Sequence, residues 1–156
     1  MRAWVDERGP LNNEMQILFA QQMLDVLAYI HSMGCLHRDI KPQNIIAYMF
    51  PVRFVLTDFG SARGNVYPQQ TPIEYTHNVC TMWYKSPEIL LGSFAYTHKL
   101  DVWSLLCTLY ECATGLALFP VDSNIDMLFK IFRIAGTPTE DTWKGVTAMK
   151  EWKEKV

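Results

Sequence analysis

"HRDIKPQN", residues 37–44, sets Asp39, Lys41 and Asn44 close enough along the chain for all three to converge on one phosphate. Its neighbours say what kind of segment it is. Upstream, apolar residues fall at Met15, Leu18, Phe19, Met23, Val26, Leu27 and Ile30, a helical period interrupted only by Gln22. Asn13 with Gln16 three residues on predicts a capping-box start, and Gly34 supplies the left-handed residue that ends a helix. The 37–44 stretch is therefore expected in a loop that follows a helix end.

Downstream, "IIAYMF" (45–50) and "VRFVLT" (52–57) flank Pro51 as the two strands of a short hairpin, and "DFG" (58–60) follows at once. Asp58 is thus expected at a strand end beside the loop that carries Asp39. From Ser61 to Thr76 the chain is polar and holds Gly64, Pro68 and Pro72, the composition of a long loop. The segment "DVWSLLCTLYECA" (101–113) is apolar nearly all round, as a helix buried on all sides would be. Ile125, Leu128, Phe129 and Phe132 repeat at helical spacing over 124–135, with Asp122 or Ser123 available as cap. The reading is mainly α with one short β-hairpin. No internal repeat or linker divides the 156 residues, so 1–156 is read as one piece of a single domain.

Composition narrows the function classes. A chain 49% hydrophobic and 19% charged has the make-up of a globular protein, and a net charge of -2 offers no general basic surface for nucleic acid. Its apolar runs are too short to span a membrane. Cys35, Cys80, Cys107 and Cys112 match no zinc ribbon or redox pair. Cys35 and His37 could share a metal, but no partner pair follows at ligand spacing. With no charged-then-apolar leader, the cysteines are expected as reduced thiols of an intracellular protein, cytoplasmic or nuclear.

The chemistry follows from residue type. Asp39 can accept or orient a hydroxyl proton, Lys41 can neutralise a transferring phosphate, and Asn44 and Asp58 offer hard oxygens suited to Mg²⁺. Magnesium is held by one or two protein oxygens together with substrate phosphates, so a carboxylate and an amide suffice. The chemistry these groups serve is phosphoryl transfer.

At these residues the chain resembles the eukaryotic protein kinases, through "HRDIKPQN", "DFG" and "SPE" (86–88), in that order and with the strand and helix context those motifs need. Within them it looks like the cyclin-dependent branch, from "YTHNVCTMWYKSPEILLG" (75–92) and "ALFPVDSNIDMLFKIFRIAGTP" (117–138). The resemblance covers nearly the whole chain. It implies most of the large, C-terminal lobe of a kinase, without the small lobe and the last helices. It also implies a Ser/Thr protein kinase that uses ATP and Mg²⁺ on protein substrates, with a preference for proline after the target.

Residue by residue, the resemblance makes Asp39 the catalytic base or orienting group and puts Lys41 on the γ-phosphate. Gln43 would lie near the ribose through its main chain, and Asn44 and Asp58 would hold Mg²⁺. Thr81 would bridge Asp39 and Lys41, His37 would prop the loop from inside, and Asp101 would accept backbone hydrogens from it, although a plain helix-cap role suits Asp101 too. Thr76 matches a regulatory phosphosite, where about -2 charge and three acceptor oxygens would meet Arg38 and Arg63; Thr71, before Pro72, is a lesser candidate. Asp122 to Arg133 resembles the surface that takes the small regulatory subunit of cyclin-dependent kinases, and a cyclin is the other partner implied.

The chain also departs from that pattern. Lys85 stands where arginine is usual, and a lysine lacks the planar fork of donors that shapes the pocket for a following proline. Ser86 replaces alanine, Leu106 a glycine and Asn78 an acidic residue, and the loop from 61 to 85 is longer than in similar kinases. Glu88 lacks a matching late arginine, since Arg133 is the only arginine after it and sits elsewhere. There is no Gly-x-Gly and no lysine before Lys41, so nothing corresponds to the glycine-rich loop or to the lysine on the α- and β-phosphates; the helix that a cyclin grasps is absent with them. These residues alone are expected to transfer little or no phosphate. The alternative is a non-catalytic binding or decoy module. The helix from Asp101 is expected to leave apolar surface exposed and to limit solubility.

Overall fold

The computed structural model describes residues 1–64, 82–93 and 97–152. In chain order these form α1 (Arg2–Arg8), α2 (Asn13–Ser32), β1 (Cys35–Leu36), β2 (Ile45–Met49), β3 (Val52–Leu56), β4 (Arg63–Gly64), α3 (Pro87–Leu90), α4 (Lys99–Thr114) and α5 (Asn124–Ala135). Helices dominate, as the apolar spacing predicts. The hairpin is β2 with β3, antiparallel, pairing Ile45 with Leu56 and Met49 with Val52. A second pairing, β1 with β4, sets Leu36 opposite Arg63 and has no signature in the sequence.

Helix α2 buries Phe19, Met23, Leu27 and Ile30 on one face. Its cap differs from the sequence expectation by one residue: Asn12, not Asn13, is the cap, its side chain accepting from Met15 N at 2.9 Å. Gln16 does not close a box on Asn13 but donates to the Leu11 carbonyl at 2.7 Å. The physical reason lies outside the helix. Leu11 is buried and its N–H is bonded to the Cys112 carbonyl of α4 at 2.8 Å, which fixes where the chain can turn into α2. Gln22, the polar break in the apolar stripe, accepts the N–H of Phe54 at 2.7 Å and so ties α2 to β3, while Phe19 packs edge-on against the Phe54 ring. Gly34 is left-handed, φ 70°, at the end of α2.

Two apolar clusters share α4. Leu105 and Cys112 join α1, α2 and the hairpin, whereas Cys107 joins Tyr84, Leu90, Leu91, Phe119 and the buried face of α5. Ser123 is the cap of α5, accepting from Asp126 N at 3.1 Å. Although its composition suits a helix buried on all sides, α4 leaves one side open, the apolar exposure expected of the helix from Asp101: Leu106 is 57% and Tyr110 42% exposed. The reason is geometric, since α2, the 82–84 turn and α5 lie on the other sides of this 16-residue helix.

Among its buried positions α4 carries polar groups that are satisfied within the fold. Ser104 Oγ donates to the Tyr84 carbonyl at 2.7 Å and Thr108 Oγ1 to the Ser104 carbonyl at 2.8 Å. Glu111, 1% exposed, accepts from Tyr84 Oη and from Arg2 Nη1, both at 2.6 Å, joining α1 to the segment that precedes α3. Burial, then the bond to Glu111, pushes the Tyr84 hydroxyl far above the ordinary phenol range.

Candidate active site

The loop from β1 to β2 is held from beneath by α4. Asp101, fully buried in the first turn of that helix, accepts His37 N on Oδ2 at 2.9 Å and Arg38 N on Oδ1 at 2.8 Å. It is therefore an internal acceptor for the loop and not the cap of its own helix, a position held by His98. Arg38 has φ 68°, a left-handed conformation that costs a non-glycine residue on the order of 1–3 kcal/mol and persists only where its surroundings over-determine it. Its own side chain contributes, Nε donating to the Ser61 carbonyl at 2.6 Å.

His37 is buried beneath the loop. Its Nδ1 takes the Asp39 N–H at 3.3 Å, its Nε2 contacts the Thr57 carbonyl at 3.0 Å, and the ring meets Phe59 edge-on at 4.8 Å. Both nitrogens are thus engaged with the backbone. Pro42 opens a single tight turn over 42–44, its fixed φ suiting that position. The turn brings Asn44 back to Asp39: Nδ2 donates to the Asp39 carbonyl at 2.8 Å and to Oδ2 at 3.0 Å, and Lys41 Nζ reaches the same Oδ2 at 2.8 Å. Oδ2 is held in place by two donors. Among the described residues no donor reaches Oδ1, so that oxygen can accept from a hydroxyl.

The "DFG" segment is laced to the same loop. Thr57 donates both its N–H (2.9 Å) and its Oγ1 (3.0 Å) to the Asn44 carbonyl. Asp58 follows with φ 61°, exposed, its carboxylate accepting, among the described residues, only from Gly60 N at 3.3 Å. Because Asn44 spends its amide hydrogens on Asp39, its Oδ1 is left as an oxygen ligand, and with the open Asp58 carboxylate the donor set has the hardness Mg²⁺ requires. Next to the loop, α1 and β2 form an open cleft of about 730 Å³, lined in part by Met1, Trp4, Gln43, Ile46 and Met49. Ile46 was not singled out by the sequence reading; its signal was the alternation of β2, which turns Ile45 inward and Ile46 out.

Of the remaining candidates, Arg63 is exposed in β4, across from Leu36 at the start of the loop. Glu88 lies in the first turn of α3, and no ion pair reaches its carboxylate among the described residues. Thr71, Thr76, Asn78 and Thr81 lie outside the described residues. Ser86 is buried, and its Oγ has no hydrogen-bond partner among the described residues. Since an unsatisfied buried hydroxyl costs about 1–3 kcal/mol, Ser86→Ala is expected to raise the unfolding free energy by about 1 kcal/mol, read from the urea midpoint. A clear loss of stability would show that the hydroxyl has a partner after all.

The family model described as "Protein kinase domain" matches residues 1–155.

Proposed function

Because this chain belongs to the protein kinase family, whose members transfer phosphate, we propose that its gene product is a Ser/Thr kinase of cyclin-dependent type that phosphorylates proteins, with proline favoured after the target. The observation that carries this reading is the Asp39 carboxylate, steadied on Oδ2 by Lys41 and Asn44, with no donor on Oδ1 among the described residues. Asp39 would orient the incoming hydroxyl and take its proton, and Lys41, already at 2.8 Å, would turn to the phosphate oxygens as charge builds there. Asn44 Oδ1 and Asp58 would hold Mg²⁺. When bound, Mg·ATP supplies the transferable phosphoryl group and offsets its charge. The cleft beside Gln43 suits the nucleoside, with Ile46 as an apolar surface for the base. Phosphate on Thr76, met by Arg38 and Arg63, would order the segment before α3, and Thr81 would bridge Asp39 and Lys41.

Nothing here corresponds to the glycine-rich loop or its lysine, and positioning dominates phosphoryl transfer, so the 156 residues alone are expected to transfer little phosphate. The second reading, a non-catalytic binding module, is favoured by α5, which leaves Ile125 56% and Phe129 45% exposed within the Asp122–Arg133 segment proposed for a small regulatory subunit. The deciding experiment purifies the native gene product through a C-terminal tag and supplies ATP, Mg²⁺ and Ser-Pro or Thr-Pro peptides. Transfer that is lost on Asp39→Asn supports the kinase. A product that binds its partners but transfers nothing establishes the module.

A further inference from the structure

We propose that two copies of this chain associate about a two-fold axis, each placing the Phe50 ring of its β2–β3 hairpin in the α1–β2 cleft of the other and its Arg53 against the other's Glu7. The contact is independent of the kinase reading; its consequence, a cleft closed to a nucleoside, rests on that reading.

Hairpin tips that face water are ordinarily polar. Here residues 46–52, "IAYMFPV", carry no charge, and none of the seven is buried. Phe50, just beyond the last paired residue of β2, is 96% exposed. Arg53 sets its guanidinium over the Tyr48 ring at 4.6 Å, across the strand pair, and among the described residues no ion pair reaches it. Phenylalanine, tyrosine, methionine and arginine are the residue types enriched where protein interfaces are buried, so the tip has the make-up of an anchor. A lipid surface suits it less, because one ring and one arginine supply too little apolar area and charge to hold a protein at a bilayer.

Such an anchor calls for an apolar hole with a carboxylate on its rim, and this chain carries both beside the anchor itself. The α1–β2 cleft, about 730 Å³, is lined by Trp4, Ile46 and Met49 and also by Asp6 and Glu7. A cleft of that size takes a phenyl ring with room to spare, and Trp4, with Arg8 at 4.7 Å over its indole, offers an aromatic wall. Asp6 is held by Arg2 at 2.8 Å. Glu7 is exposed, and among the described residues no ion pair reaches it, so it is the carboxylate left for a guanidinium. Met49 lines the cleft whereas Phe50, its neighbour, does not. Knob and hole thus stand one residue apart on one surface and do not meet within a copy. A two-fold axis carries each to its counterpart in the other copy and forms both contacts twice, as an isologous interface requires.

Sedimentation equilibrium of the full 156-residue chain tests this without needing activity. The parent is expected to dimerise, and Phe50→Ser, at an exposed tip, to weaken the dimer by about 100-fold or more, since each dimer loses two anchors. Arg53→Glu and Glu7→Arg are each expected to weaken it by about tenfold, and the double variant, which exchanges the charges, to recover to within about threefold of the parent. Leu106→Ser, on the open side of α4, is expected to stay within about threefold as well, which separates this contact from unspecific apolar association. A monomeric parent, a dimer untouched by Phe50→Ser, or failure of the exchanged pair to recover would each overturn the proposal. So would a monomer that binds vesicles of equal phosphatidylcholine and phosphatidylserine through Phe50. In the tagged gene product the KM for ATP should rise with enzyme concentration, and Phe50→Ser should abolish the rise. If the dimer behaves as expected while that KM stays constant, the contact stands and the placing of the nucleoside in this cleft falls.

Discussion

Asp101→Asn is expected to cost this protein about 3–5 kcal/mol, the range found when one member of a buried, hydrogen-bonded charge network is removed. Asn keeps the shape of Asp but has one acceptor oxygen, and its NH₂ must face either Arg38 N or the pair of donors from His37 and His31. Nothing nearby relieves that clash, because the site is fully buried. Against a total stability of roughly 5–15 kcal/mol for a typical domain, this is a large fraction. Urea unfolding followed by tryptophan fluorescence reads it directly, with Trp103 two residues along α4. Asp101→Ala should do at least as much damage. A loss below about 1 kcal/mol for the Asn variant would mean that the three donors find other partners, and the account of how the loop is held would be wrong.

Stability should also fall steeply in alkali. Burial pushes the Cys107 thiol up to about 12, with the Glu111 charge adding to it and a backbone hydrogen bond opposing. Burial likewise pushes Cys112 up to about 12, with Glu111 second and the chain's amino group and Arg2 opposing. In the unfolded chain a thiol ionises near its ordinary value of 9.0. Between pH 9 and 12 the unfolded chain has therefore released these protons while the folded chain keeps them, and fewer protons bound in the unfolded state means that stability falls as pH rises. Each thiol contributes a little over 1 kcal/mol per pH unit, so the pair contributes roughly 3 kcal/mol per unit. Tyr84, raised by burial and by its bond to Glu111, steepens the fall once its ordinary range is passed. Below pH 8 these groups should leave stability level. Urea midpoints from pH 8 to 11 give the slope, and the double Cys107→Ala, Cys112→Ala variant, though weaker at pH 8, should lose most of it. An equal slope in parent and variant would rule out the thiols as its source.

Much of the site can be read from the sequence because its parts are local. Asp39, Lys41 and Asn44 lie within one loop, and the turn at Pro42 that joins them is specified by residues inside it. The hairpin and Asp58 follow directly, and the Gly34 ending of α2 is a matter of one residue's conformational freedom. The cap of α2 was displaced because two adjacent asparagines can both cap, and the choice was made by the bond from Leu11 to Cys112. Gln22 read as a break in an apolar stripe until Phe54 appeared beside it. That α4 leaves apolar surface exposed is expected from the sequence, but a composition that is apolar all round does not say which side is open.

By itself, then, the sequence determined the residue types for phosphoryl transfer, their spacing, and the helix and hairpin that bracket them. Tertiary structure decided what holds those residues still: His31 on Asp101 across 70 positions, Arg2 on Glu111 across 109, and Tyr84 on Glu111 across 27. The division has a physical cause. Periodicity, caps and turns act over a few residues and leave a signature in the letters, whereas a buried carboxylate selects its donors by where packing brings them, and that selection has no local pattern to read.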